Sequence, residues 1–229
     1  MVYPRYPDTF WSFRHSLKFI NKKASFPPLG LLTIASFLPK EWDVKLVDLN
    51  VENLNDKDIE DADYIFISAM LIQKNSVDMV IQKAKKFNKK IIAGGPLFTT
   101  GYENYHFVDS IVVGEGELVM PYLIEDIKSG NLKHIYESEV KPDLNVVPVP
   151  RWDLIDIKHY ASMAIQYSRG CPFNCEFCDI IILNGRIPRT KTPEQMIEEF
   201  NALYNIKWRG SLFIVDDNFI GNKKNAKEM

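Results

Sequence analysis

Cys171, Cys175 and Cys178 are the only cysteines in this 229-residue chain, and all three lie in the stretch CPFNCEFC. The spacing is C-x-x-x-C-x-x-C. Three thiolates this close can each hold one iron of a [4Fe–4S] cluster. Such clusters normally have four thiolate ligands, and the chain has no fourth cysteine. The last iron is therefore open to bind a small molecule and act on it. Two other chemistries compete. Structural zinc takes four ligands, typically from two paired clusters. Here there is one cluster, with His159 the nearest histidine and no second pair. A disulfide framework leaves an odd thiol over. The cluster with an open iron fits the spacing best.

A reactive loop of this kind needs a rigid base. Residues 163–167 (MAIQY) read as a short, largely apolar strand leading into it. Residues 193–204 read as a helix, with Thr192 as N-cap, Pro193 at the first helical position and Gln195 completing a capping box. Residues 211–215 read as the next strand, and Asp216-Asp217-Asn218 follow its end. A carboxylate there suits a cationic ammonium group; the same residues also suit a polar turn with an N-cap. Arg186 and Arg189 could bind carboxylate or phosphate groups, or stand as solvated surface charges. Trp11 and Phe13 read as core or interface aromatics, and His159 as structural. No side chain stands out as a catalytic acid, base or nucleophile.

Upstream, strand and helix patterns alternate. Residues 29–38 read as a helix bounded by Pro27, Pro28 and Pro39. Strands are expected at 44–49, 64–69, 90–93 and 110–113, and further helices at 77–87 and 118–128. Such alternation predicts a doubly wound parallel sheet covered on both faces. Open sheets bind ligands beyond the C-terminal ends of their strands. Ser68-Ala69-Met70, Gly94-Gly95-Pro96 and Gly114-Glu115-Gly116-Glu117 stand at three such ends. They are either tight turns or a ligand-facing edge. None is a G-x-G-x-x-G fingerprint, which disfavours a dinucleotide. Residues 141–160, with Pro142, Pro148 and Pro150, read as a linker. The expected organisation is thus a sheet domain over 1–140, the linker, and a second domain over 161–229.

Composition sets outer limits. Hydrophobic residues make up 46% and charged residues 25%, ordinary values for a globular protein with a sizeable core. The net charge of −2, with both signs interspersed, argues against a nucleic-acid surface. No apolar run approaches the roughly 20 residues of a membrane span. The start VYPRYPDTFW is not a signal peptide. Cysteines kept as thiolates predict a cytoplasmic setting.

The run Ser168-Arg169-Gly170 followed by CPFNCEFCDI, with Phe177 just before the third cysteine, resembles the radical S-adenosylmethionine (SAM) superfamily. The stretches PPLGLLTIASFLP, VKLVDLN, YIFISAM, IIAGGPLF, VVGEGE and VPRWDLID extend the resemblance to its cobalamin-binding class. GRIPRTKTPEQ and VDDNFIGNKK are similar to a subgroup related to the hopanoid methylases. The resemblance spans nearly the whole chain. It implies a Rossmann-like cobalamin-binding domain followed by the first part of a radical SAM partial (β/α) barrel. It implies that Cys171, Cys175 and Cys178 hold the cluster, and that SAM chelates the open iron. It further implies SAM contacts from Phe177, Asp216, Asp217 and Asn218, and that Ser68, Gly94 and Gly95 face the cobalamin tail. The implied reaction is reductive cleavage of SAM to a 5′-deoxyadenosyl radical, then methyl transfer to an unactivated carbon of a small-molecule or lipid substrate. An electron donor such as flavodoxin or ferredoxin is implied as partner. Rearrangement or oxidation without methyl transfer is the alternative within the family; a non-catalytic metal-binding module is the alternative outside it. One departure stands out. No D-x-H-x-x-G motif is present, and His15, His106, His134 and His159 all lie in other contexts. A histidine is therefore not expected beneath the cobalt. Barrels of this family have about six strand–helix units and this chain supplies about two, so it is expected to be a fragment. Its last residues, GNKKNAKEM, should begin a helix with little to pack against.

Overall fold

The computed structural model describes residues 1–9 and 12–229; Trp11 lies outside the described residues. In chain order the sheet half contains β1 (Val2–Tyr3), α1 (Arg14–Phe19), α2 (Leu29–Ala35), β2 (Val47–Asp48), α3 (Asp56–Glu60), β3 (Tyr64–Ser68), α4 (Lys74–Lys86), β4 (Lys90–Gly94), α5 (Pro96–Gly101), β5 (Ser110–Val113), α6 (Met120–Ser129) and β6 (Ile135–Glu137). The strands form one six-stranded parallel sheet in the order β2-β1-β3-β4-β5-β6.

Period-two alternation assigns the strand side chains to two faces. Ile65, Ile67, Ile91, Ala93, Ile111 and Val113 pack with Val77, Val80, Ile81 and Ala84 of α4 and with Leu97 and Phe98 of α5. Phe66, Ile92 and Val112 pack oppositely, against Leu38 and against Met120, Leu123 and Ile127 of α6. Both faces are covered, as an all-parallel sheet requires. The lysines at 83, 85 and 86 in the last turn of α4 suit the negative end of the helix dipole.

Strand order reverses beside β1: β2 lies on one side and β3 on the other. This switch point is where doubly wound sheets open a ligand crevice. A cavity of about 460 Å³ lies there, with Tyr3, Tyr6, Arg14, Lys23, Phe26 and Asn50 among its walls.

The second half contains β7 (Met163–Ile165), β8 (Ser168–Arg169), α7 (Ile180–Leu183), β9 (Arg189–Thr190), α8 (Pro193–Asn205), β10 (Leu212–Ile214) and α9 (Lys223–Glu228). β7 and β10 pair in parallel across the α8 crossover, while β8 and β9 pair antiparallel. The capping box at Thr192 forms as the sequence predicts. The two halves share a core: Leu31 and Leu32 of α2 pack with Trp152, Tyr160, Met163, Ile165, Met196 and Leu203. Helix α2 is thus gripped between the sheet and the start of the barrel. Residues 141–160 run as extended chain with three short 3₁₀ turns.

Two expectations need adjustment. The helix from Leu29 ends at Ala35 rather than near 38. The closing helix α9 does find partners: Asn225 accepts from the Tyr167 hydroxyl at 3.0 Å and donates to Thr190 Oγ1 at 2.8 Å.

Candidate cofactor site

Strand β7 is buried at all three positions and delivers the chain to the β8–β9 pair. That pair closes a loop over residues 170–188, which contains the three cysteines. Its first residue must be glycine. Gly170 has φ +93°, and a Cβ there would lie 2.7 Å from the Ile187 carbonyl oxygen. The loop is braced internally. Cys171 N–H donates to Gly185 O at 3.1 Å, Cys178 N–H to Cys175 O at 3.1 Å, and Arg186 to Asn174 at 2.8 Å. All three thiols are free; Cys175 is exposed, and Cys171 and Cys178 are half-buried. Phe177 projects beside them, 93% exposed. Among the described residues, no three Cys, His, Asp or Glu side chains converge as a single bound ion requires. A cluster gives each thiolate its own iron, so it does not demand that convergence.

The turn after β10 reaches this loop. The Asp216 carboxylate accepts from Tyr167 N–H at 2.8 Å, Ser168 N–H at 2.9 Å and the Ser168 hydroxyl at 2.7 Å. Burial raises its pKa above its ordinary value, against the lowering effect of those donors; Asp217 adds to the rise. Asp217 accepts from Gly170 N–H at 2.9 Å and from the Asn184 amide at 2.7 Å. The Asn218 amide lies 3.6 Å from Cys171 Sγ. All three residues are therefore brought to the base of the cysteine loop, where both aspartates hold its backbone.

On the sheet side, Ser68 and Gly94 are paired in register at the ends of β3 and β4. Gly95 follows at φ +88°, and a Cβ on it would stand 2.6 Å from Ser68 Oγ and 3.1 Å from the Ala69 backbone. The missing side chain lets the Gly95 backbone close tightly on Ser68 and Ala69 at this strand end. The Ser68 hydroxyl makes no hydrogen bond among the described residues, which leaves it able to serve a ligand. These residues fit a cobalamin tail, and the three free thiols fit a cluster. Helix α5, which begins just after Gly95, packs beside α7, which begins just after Cys178. The two candidate subsites are neighbours.

A buried ionic network joins them. Arg169 Nη1 lies 2.8 Å from Glu115 Oε2 and 2.7 Å from Glu117 Oε1; Arg189 Nη2 lies 2.7 Å from Glu115 Oε1. Burial pulls the Arg169 pKa down, but Glu117 and Glu115 outweigh it and hold the guanidinium above its ordinary value. Deeper in the barrel, Lys191 pairs with Glu199. There burial lifts the Glu199 pKa despite the lysine. From sequence, Arg189 read as a carboxylate binder or a surface charge. It binds a carboxylate of this same chain. Arg186 is exposed and, among the described residues, reaches only Asn174. His159 lies beside Asp156 at 3.7 Å on the linker, away from the thiols. Glu115, Glu117, Arg169, Lys191 and Glu199 were not legible as a set. Their only sequence signal is two glutamates, each following a glycine, at a strand end.

A family model for the B12 binding domain matches residues 19–124. The chain is 44% identical over 99% of its length to an uncharacterized methyltransferase of Synechocystis sp., and covers 43% of that protein. It is 38% identical over its full length to the hopanoid C-2 methylase of Rhodopseudomonas palustris, covering 44% of it. The cobalamin-dependent SAM radical enzyme OxsB, solved with aqua-cobalamin and SAM, superposes with a TM-score of 0.68 at 21% identity. That match covers 99% of this chain and 35% of OxsB. Residues 19–124 thus carry the B12 binding domain match, and the whole chain shares the fold of a cobalamin-dependent SAM radical enzyme. Its α/β architecture is the one this structural neighbour shares. The chain spans a little under half the length of the two curated relatives. Within the family's B12-binding match lie Ser68, Gly94, Gly95, Glu115 and Glu117; the cysteine loop lies beyond it. Among the described residues, no helix is long and apolar enough to cross a membrane.

Proposed function

We propose that this chain carries the cofactor-binding part of a cobalamin-dependent radical SAM methyltransferase. Residues 1–140 are read as the cobalamin unit, 141–160 as the linker, and 161–229 as the start of the SAM-binding barrel. One observation carries the reading: the loop holding three free thiols is docked beside the Gly94-Gly95 end of a parallel sheet. In this reading Cys171, Cys175 and Cys178 hold a [4Fe–4S] cluster, and Phe177 flanks the bound SAM. Asp216 and Asp217 fix the loop backbone, leaving Asn218 facing Cys171. Ser68, Gly94 and Gly95 take the cobalamin tail. When bound, the cluster supplies the electron that cleaves SAM, and the cobalamin carries a methyl group. The chain's own residues orient these groups and brace the loop that holds them. The substrate is a small molecule or lipid with an unactivated carbon, the electron donor is a flavodoxin or ferredoxin, and the setting is a reducing cytoplasm.

The test is anaerobic incubation of the cluster- and cobalamin-loaded chain with methyl-labelled SAM and a reductant. Formation of both 5′-deoxyadenosine and S-adenosylhomocysteine supports the reading. 5′-Deoxyadenosine alone points to radical chemistry without methyl transfer. A chain that retains neither cluster nor cobalamin after anaerobic loading contradicts it.

A further inference from the structure

We infer that Glu115 is a positioning residue that closes the cysteine loop and sets it against the sheet edge; its consequence for catalysis rests on the function proposed above. The hairpin that closes residues 170–188 has only two residue pairs, Ser168 with Thr190 and Arg169 with Arg189. A two-stranded hairpin is marginal on its own, and closing a long loop adds an entropic cost. Here one of the two pairs also sets two guanidinium groups directly opposite each other, which is unfavourable between strands. The hairpin therefore opposes its own closure.

Glu115 removes that opposition. Its Oε2 accepts from Arg169 Nη1 at 2.8 Å and Arg189 Nη1 at 3.0 Å, while its Oε1 accepts from Arg189 Nη2 at 2.7 Å. Two-point contact of this kind fixes orientation as well as distance. Glu117 balances the second charge through Arg169. The four side chains are only 4–15% exposed, so solvent screens them little. Arg189 also donates to the carbonyls of Pro142 and Asn184, at 2.6 and 2.8 Å, which binds the linker and the far side of the loop into the same knot. Glu115 itself stands just past β5, on the other half of the molecule. The preceding Gly114 N–H donates to Thr99 Oγ1 at 3.0 Å, and Thr99 lies on α5, the helix that begins at the Gly94-Gly95 edge. The cysteine loop is thus closed by a carboxylate whose position is set by the candidate cobalamin subsite.

The direct test is amide hydrogen exchange on the whole chain without cofactors, comparing wild type with Glu115→Gln. Exchange at residues 168–171 and 189–191 is expected to accelerate at least tenfold, with β3 and β4 unchanged. Acceleration confined to 114–117, or spread evenly into β3 and β4, overturns the inference. Should the single variant fail to fold, Glu115→Gln/Arg189→Gln restores the charge balance; with the opposed guanidiniums also gone, exchange at 168–171 should still outpace β3 and β4 but by less than tenfold, and exchange equal to wild type overturns the inference. This experiment needs neither cluster nor cobalamin, so its outcome is independent of the proposed function. A second readout addresses position itself. In chain loaded with cluster and cob(II)alamin, the microwave half-saturation power of the cobalt EPR signal reports the nearby cluster. It should shift at least twofold in Glu115→Gln at unchanged iron content. An unchanged value means that Glu115 serves stability alone, and overturns the positioning role.

Discussion

Gly95 shows how much a single residue can decide. Its φ of +88° with ψ near 180° belongs to a region of backbone space that is essentially glycine-only. Gly95→Ala is expected to cost about 1–3 kcal/mol in backbone strain. The added methyl must also displace Ser68 Oγ, 2.6 Å away. Urea denaturation should show that loss, and a spectroscopic titration should show at least tenfold weaker cobalamin binding; unchanged affinity would remove Gly95 from the subsite. Asp216 makes a second prediction. Its folded pKa lies above its unfolded value, so the native state holds its proton more tightly. Stability from this group is therefore present at low pH and is lost as pH rises through the raised folded pKa. Asp48 and Glu199, also raised by burial, act in the same direction. Asp216→Asn should flatten the pH dependence of the melting temperature as pH rises above the ordinary carboxylate pKa. An identical slope in wild type and variant would refute that assignment. The three cysteines, and the glycines at the strand ends, were legible in the sequence because their chemistry is local. The role of Glu115 was not, since its arginine partners lie 54 and 74 residues away.

At the scale of elements, the segments long enough to show a period were readable. β3 and β4 stand out as apolar runs, α4 as an amphipathic helix, and α8 through Thr192, Pro193 and Gln195. Thr192 accepts from Gln195 N–H at 3.2 Å, and Gln195 accepts from Thr192 N–H at 3.0 Å. Thr192→Ala should therefore cost about 1 kcal/mol, seen as a lower melting temperature with cobalamin affinity unchanged. A loss beyond about 2 kcal/mol would mean that the cap also supports the linker, which Gln195 reaches through Leu144 O at 3.0 Å. The short elements escaped sequence reading for a physical reason. β1, β8 and β9 have two residues each and β6 has three, too few to display alternation. They exist because neighbouring strands and the ionic network supply their partners. The β8–β9 pair is the functional example: nothing in SRG or RTK suggests a strand until the Glu115 carboxylate is in place.

At the scale of the whole molecule, the two halves meet through an apolar layer around α2 and through a few buried polar contacts. Tyr160, at the end of the linker, donates to Asp48 at the C-terminal end of β2 at 3.0 Å, and both are buried. Burial raises the Asp48 pKa despite hydrogen bonds from Asn50 and Tyr160. Tyr160→Phe should cost about 1.5–3 kcal/mol, the range for a hydrogen bond to a charged partner. Proteolysis at 141–160 should accelerate in step; unchanged proteolysis would show that the apolar layer alone holds the halves together. The alternation of strands and helices made the parallel sheet foreseeable. The grip on α2 was not, because a helix buried on two sides shows no single apolar face. All of these contacts serve one arrangement, a three-thiol loop held against the sheet edge. The most direct test is EPR of the anaerobically reconstituted, reduced chain, with and without SAM, using Cys175→Ala as control. A [4Fe–4S] signal that shifts on adding SAM and vanishes in Cys175→Ala is the predicted result. Zinc without sulfide, or a cluster signal indifferent to SAM, would contradict the account.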